Sequence, residues 1–149
     1  MAPEGMVHAL EIIHRLLKPG GRLVDIHPSG EPPPVFARSG NREELAGWLQ
    51  ETDDFVEYFQ AEAALADVID KRLFSQTSQA SFIFSTYSGN IAELKEFLIA
   101  TWSDVLIPIE LIHRAEVLQR KLQGKHDKVE VVFRERIRIT LLHRMDAQP

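Results

Sequence analysis

The sequence predicts an α/β domain, and three observations carry that expectation. Val7, Leu10, Ile13 or His14, and Leu17 recur at helical spacing, with Leu16 widening the stripe. A Lys18-Pro19-Gly20-Gly21 stop follows, and Arg22–His27 then reads as a short strand. At the other end Val129–His143 alternates for a long stretch, as a β-strand does.

Each element has a local reason. Lys18 places a positive charge at the helix C-terminus, and Pro19 cannot continue the helix. Gly20 and Gly21 supply a turn in which positive φ is cheap. In the strand after them Leu23 and Asp25 point one way, Val24 and Ile26 the other. Pro28 to Pro34, with three consecutive prolines, forms a stiff loop. Asn41 is a candidate N-cap with Glu43 and Glu44 in the first turn. Leu45, Trp48, Leu49, Phe55, Val56, Phe59, Ala63, Ala66, Ile69 and Leu73 then predict helix from about 42 to 73, broken at Thr52-Asp53-Asp54.

Ser75, Thr77, Ser78 and Ser81 read as a polar loop, and Ala80–Tyr87 as a strand rich in Phe, Ile and Thr. Ser88-Gly89-Asn90 is a turn and cap for a helix over Ile91–Trp102. Pro108 interrupts, a further helix runs from Ile109 to Leu122, and Gly124 ends it. On the last strand Val129, Val131, Phe133, Ile137, Ile139 and Leu141 share one face; Arg134, Arg136, Arg138 and Arg144 share the other. No repeat, low-complexity tract or linker appears, so residues 1–149 are expected to form one domain.

Composition narrows the function classes. The chain has 149 residues, 44% hydrophobic and 26% charged, with a formal charge of −5. That balance predicts a globular protein, and the acidic net charge argues against general nucleic-acid binding. There is no cysteine, which removes disulfides, thiolate catalysis and cysteine metal sites. No apolar run reaches the length of a membrane span and Met1–Leu10 is unlike a signal peptide, so a cytoplasmic location is the expectation.

The segment Ala9-Leu-Glu-Ile-Ile-His-Arg-Leu-Leu-Lys-Pro-Gly-Gly-Arg-Leu-Val-Asp-Ile26 resembles the helix–Leu-Lys-Pro-Gly-Gly–strand passage of class I S-adenosylmethionine-dependent methyltransferases. The resemblance implies a partial Rossmann-like sheet with strands near 22–27, 80–87 and 129–142, flanked by helices. It also implies sheet order fifth, seventh, sixth strand, with the last strand antiparallel. The family holds its cofactor in a glycine-rich turn between a strand and a helix. Here the clustered pair Gly20-Gly21 follows a helix and precedes a strand, the wrong polarity for that task. The expectation is therefore the C-terminal half of such a domain, with no cofactor-binding residues and no S-adenosylmethionine binding on its own.

The acceptor side of the family falls on Asp25, His27, Pro28 and Ser29, with Asp25 and His27 as the acid–base pair. A strand at Leu23, Val24, Asp25 and Ile26 whose neighbour is missing presents an open edge, so a homodimer through that edge is expected. Three functional readings stand together. One is an assembly or binding module. One is a half of a split methyltransferase, with S-adenosylmethionine bound once a partner chain completes it. The third is a small-molecule binding domain using the aromatic set Trp48, Phe55, Tyr58 and Phe59.

Two further patterns are weaker. Glu11-x-x-His14 and Glu110-x-x-His113 have the spacing of bundle metal sites, but the four-helix context is lacking, so no metal is expected. The arginine row, preceded by Arg114, Arg120, Lys121, Lys125 and Lys128, reads as a sheet face that is solvated or paired with acids from neighbouring helices rather than as a nucleic-acid surface. No Gly-x-Ser-x-Gly elbow is present to anchor a hydrolase triad.

Overall fold

The computed structural model describes residues 3–124 and 127–146. Within them the chain divides into two compact units. Unit 1 takes the described parts of Met1–Gly30, Val56–Phe82 and Ile137–Pro149; unit 2 takes those of Glu31–Phe55 and Ile83–Arg136. The architecture is mixed α/β, and the registered strand pairings are antiparallel.

Unit 1 starts with α1 (Pro3–Leu16). Glu4 in its first turn and His14 and Arg15 in its last suit the helix dipole. The turn after it closes through Gly21 N donating to Lys18 O at 2.8 Å, with Gly20 at φ +71. β1 (Arg22–Pro28) pairs antiparallel with the second half of β7 (Val129–Arg144), from Arg22↔His143 to Pro28↔Ile137. The first half of β5 (Phe74–Ser88) pairs with β7 as well, and Thr77 Oγ1 donates to Leu141 O at 3.2 Å. Since β1 occupies one edge of β7, the order in unit 1 is β1–β7–β5.

Helix α2 (Val56–Asp70) buries Ala64, Leu65 and Val68. It ends at Arg72, whose φ of 58 lets Leu73 N donate back to Val68 O at 3.0 Å. The core of the unit is Leu65, Val68, Phe74 and Leu142, ringed by Val7, Leu10, Ile13, Leu17 and Leu23. Val7, Leu10, Ile13 and Leu17 of the stripe read from the sequence thus pack on the core, whereas Leu16, expected to widen it, is 79% exposed. Val24 and Ile26, on the opposite side of β1, remain 52% and 58% exposed.

Unit 2 departs from expectation at its start. Residues 42–51 are not helical: β2 (Pro34–Ser39) and β3 (Arg42–Trp48) form an antiparallel hairpin, and β4 (Gln50–Glu51) pairs with β6 (Val105–Leu106). The hairpin turns on Gly40-Asn41, with Gly40 at φ +56, a two-residue connection suited to tight strand reversal. Alternation on β2 buries Val35, Ala37 and Ser39, and β2 pairs with the first half of β7 from Val35↔Phe133 to Ser39↔Val129. Asn41 is therefore a turn residue and not a helix cap. Gly47 explains why β3 lies so close to the helix packed on it. A Cβ there would stand 3.3 Å from Leu111 Cβ.

Three further elements complete unit 2. Helix α3 (Ile91–Thr101) begins at Asn90, whose side chain accepts from Glu93 N at 2.9 Å. Glu93 in return accepts from Gly89 N at 2.9 Å, a reciprocal cap. Helix α4 (Ile109–Leu122) has the bounds that its sequence predicts. Both helices pack on Val35, Ala37, Leu49, Val131 and Phe133. The second half of β5 joins β7 here, with Ser88 Oγ donating to Val131 O at 3.2 Å. The stretch 75–81 read as a polar loop is part of β5. Residues 76–84 are exposed, so this strand is held by backbone pairing rather than burial, and hydropathy does not reveal it.

Candidate functional site

The most organised polar group in unit 1 forms at the end of β1. Strand alternation places Asp25 and His27 on one face, and the register sets His27 opposite Arg138 of β7. Helix α2 brings Glu62. Asp25 Oδ2 lies 2.6 Å from His27 Nδ1, and Glu62 Oε1 lies 2.8 Å from His27 Nε2. Arg138 reaches the same Glu62 oxygen at 2.9 Å. The His27 side chain is 11% exposed, so water competes weakly for its two nitrogens.

This geometry favours the charged form. With a proton on each ring nitrogen, His27 is an imidazolium that donates to a carboxylate on either side. The Asp25 contact, supported by Glu62, holds its pKa above the ordinary histidine value against the opposing effect of burial. The four charges, two of each sign, then cancel. An imidazolium with both nitrogens engaged has no lone pair to act as a base. The cluster clamps β1 to α2 and β7, and a proton can pass between His27 and either carboxylate.

Pro28 and Ser29, expected beside this pair, lie close by in the chain. Pro28 ends β1 opposite Ile137. Ser29 Oγ is buried without a hydrogen-bond partner among the described residues. Gly30, at φ +81, lies against Tyr58 and Phe59, where a Cβ would stand 3.4 Å from each. The expected pair Asp25–His27 is therefore a contact. Glu62 and Arg138, which complete it, are the residues the sequence reading missed. The proposed edge residues divide: Leu23 packs on the core, Asp25 enters the cluster, and Val24 and Ile26 face outward.

The remaining candidates fall elsewhere. The aromatic set is not assembled on one helix face. Trp48 ends β3 at 52% exposure and Phe55 is buried with its ring 6.3 Å from that of Trp102, both in unit 2. Tyr58 and Phe59 lie on α2, with Phe59 59% exposed. His14 Nε2 donates to Met145 O at 2.8 Å and its ring meets Phe74 edge-on, while Glu11 binds Lys71. His113 lies exposed on α4. Among the described residues no group of three His, Asp or Glu is arranged to hold a metal ion.

The arginine row is neutralised, though only one of its acids comes from a helix. Arg134 binds Glu43 of β3 through both terminal nitrogens, Arg136 Nε meets Glu31 Oε2 at 3.1 Å, and Arg138 meets Glu62 of α2. Arg134 holds the Glu43 carboxyl below its usual range, whereas burial pushes Glu135 up. Lys121 pairs with Glu44, Lys128 with Glu130, and Lys125 lies outside the described residues. The strand–Gly89–helix junction has the polarity of an anion cradle, but Glu93 already occupies its backbone N–H. No described helix is long and apolar enough to cross a membrane. Comparison with known proteins finds no family model, curated protein or solved structure that matches this chain.

Proposed function

We propose that this chain is a methyltransferase-like assembly module, related to the C-terminal half of a class I methyltransferase domain, and that a second copy completes unit 1 at β1. The observation that carries the reading is the strand order β1–β7–β5 in unit 1, with β7 antiparallel to β1. It is the order that the Leu-Lys-Pro-Gly-Gly passage implies for the strands after it. Two properties of β1 support assembly. Among the described residues it pairs with β7, which leaves its outer edge open. Its exposed side chains Val24 and Ile26 stand opposite Leu141 and Ile139, an apolar strip beside that edge.

In this reading the His27 cluster is structural. It fixes the end of β1 so that the edge is presented in one register, and it supplies no nucleophile of its own. Support for the chain alone not binding S-adenosylmethionine comes from Glu93, which accepts from Gly89 N at a strand–glycine–helix junction among the described residues.

Sedimentation velocity at micromolar concentration tests the assembly. A dimer that falls apart when Val24 and Ile26 are both replaced by lysine is the expected result. A monomeric wild-type chain overturns the homodimer. Titration with S-adenosylhomocysteine tests the rest: saturable binding by the purified chain would show that it builds a cofactor site and would overturn this reading.

A further inference from the structure

We infer that unit 2 carries a ligand cleft for an aromatic carboxylate, separate from the assembly edge of unit 1. A cavity of about 310 Å³ opens where the proline run enters β2. Its walls are Pro32–Pro34, Phe36, Trp48 and Ile83, and its polar groups are Glu31, Arg134 and Arg136. Apolar walls thus stand beside a nearly equal polar surface, which suits a ligand with a flat apolar body and one charged group. The proline wall is stiff, so seating a ligand against it orders little chain. Trp48 and Ile83 are 52% and 48% exposed, large apolar surfaces that a flat ring would cover.

The two arginines have different tasks. Arg134 is committed, because Glu43 holds it through both terminal nitrogens while its guanidinium lies 4.9 Å from the centre of the Phe36 ring. It stiffens one wall. Arg136 is available. Only its Nε is engaged, by Glu31, and its terminal amino groups have no partner among the described residues. That pair is open to water, with Arg136 47% and Glu31 65% exposed, and exposed pairs separate readily. A ligand carboxylate meets the free fork of Arg136 while its ring lies between the prolines and Trp48. Glu31 is then a competitor that swings away, which sets this site apart from a merely greasy groove.

Calorimetric titration of the full chain with 2-naphthoate and with its uncharged analogue 2-naphthylmethanol tests the assignment. Naphthoate is expected to bind about 10-fold tighter than the alcohol, in keeping with one charge-assisted bidentate contact. Arg136→Gln should erase that preference, Trp48→Ala should weaken both ligands, and Glu31→Gln should tighten naphthoate alone. Equal affinity for the two wild-type ligands, a preference that survives Arg136→Gln, or no binding up to millimolar naphthoate overturns the inference. The wild-type comparison and Glu31→Gln keep the test decisive even where Trp48→Ala disturbs the hairpin. None of these outcomes bears on the dimer at β1.

Discussion

Among the described residues, unit 2 gathers thirteen buried apolar residues into its core and unit 1 gathers four. Both units build on the same two long strands, so strand length is not the cause. In unit 2 two helices and a hairpin close on Val131 and Phe133 of β7. In unit 1 helices α1 and α2 meet one face of the sheet, and Val24 and Ile26 on the other face stay exposed. A large core stabilises a fold by itself, whereas a small one leans on whatever covers its bare surface. The difference teaches that unit 1 is where a partner would add most, and unit 2 is where a self-sufficient fold can host a cleft.

The sharpest way to break that contrast is Phe74→Ala. Phe74 is fully buried and is one of the four core residues of unit 1. Its loss should cost about 3–5 kcal/mol. In native-state hydrogen exchange the amides of α1 and α2 should lose protection while those of α3 and α4 keep theirs. Equal loss in all four helices would show one cooperative core, and the contrast between the units would fall.

A smaller effect probes the tight packing of unit 2. Gly47→Ala places a methyl 3.3 Å from Leu111 Cβ and Cγ, in a backbone conformation of φ +157. Overpacking of this kind costs about 1–3 kcal/mol. Urea denaturation should show that loss, and it should shrink when Leu111→Ala is already present, because the two side chains then share the space. An undiminished cost in that background would place the strain in the backbone instead.

Asn90→Ala tests a local feature of the same unit. Removing the side chain that accepts from Glu93 N should cost about 1 kcal/mol and fray the first turn of α3. An unchanged urea midpoint would mean that Glu93, bonded to Gly89 N, carries the cap unaided.

How much of this was legible follows from what each element is held by. α1, α3, α4 and the first half of β7 were readable because their own side chains carry the period of the surface they bury; further along β7 the buried residues are Thr140 and Leu142, on the side expected to carry the arginines. Pro19, Asn90 and Pro108 marked their ends in the expected places. The β2–β3 hairpin was not readable as such. Leu45, Trp48 and Leu49 mimic helical spacing, and Glu43 and Glu44 mimic a helix start, although they serve Arg134 and Lys121. The Gly40-Asn41 turn was the signal that favoured strands. At the candidate site the local half, Asp25 with His27, lies within one strand and could be seen. Glu62 and Arg138 arrive from 35 and 111 positions further along, by a helix contact and a strand register that no local pattern encodes.

The smallest effect concerns the His27 cluster, and it is read as a slope rather than a step. His27 is raised above its ordinary value by Asp25 first and Glu62 second, so the folded chain holds its proton more tightly than the unfolded chain. The stabilisation is complete below the unfolded histidine pKa of about 6.5 and is lost as pH rises through the folded value. His27→Gln preserves much of the shape and removes the titration. The wild-type chain should therefore melt above the variant at pH 6, and the gap should narrow steadily toward pH 9. A gap that stays constant across that range would mean that His27 contributes packing and not charge. In that case the order at the end of β1 would owe nothing to the carboxylates on either side of the ring, and the clamp in unit 1 would be one of packing alone.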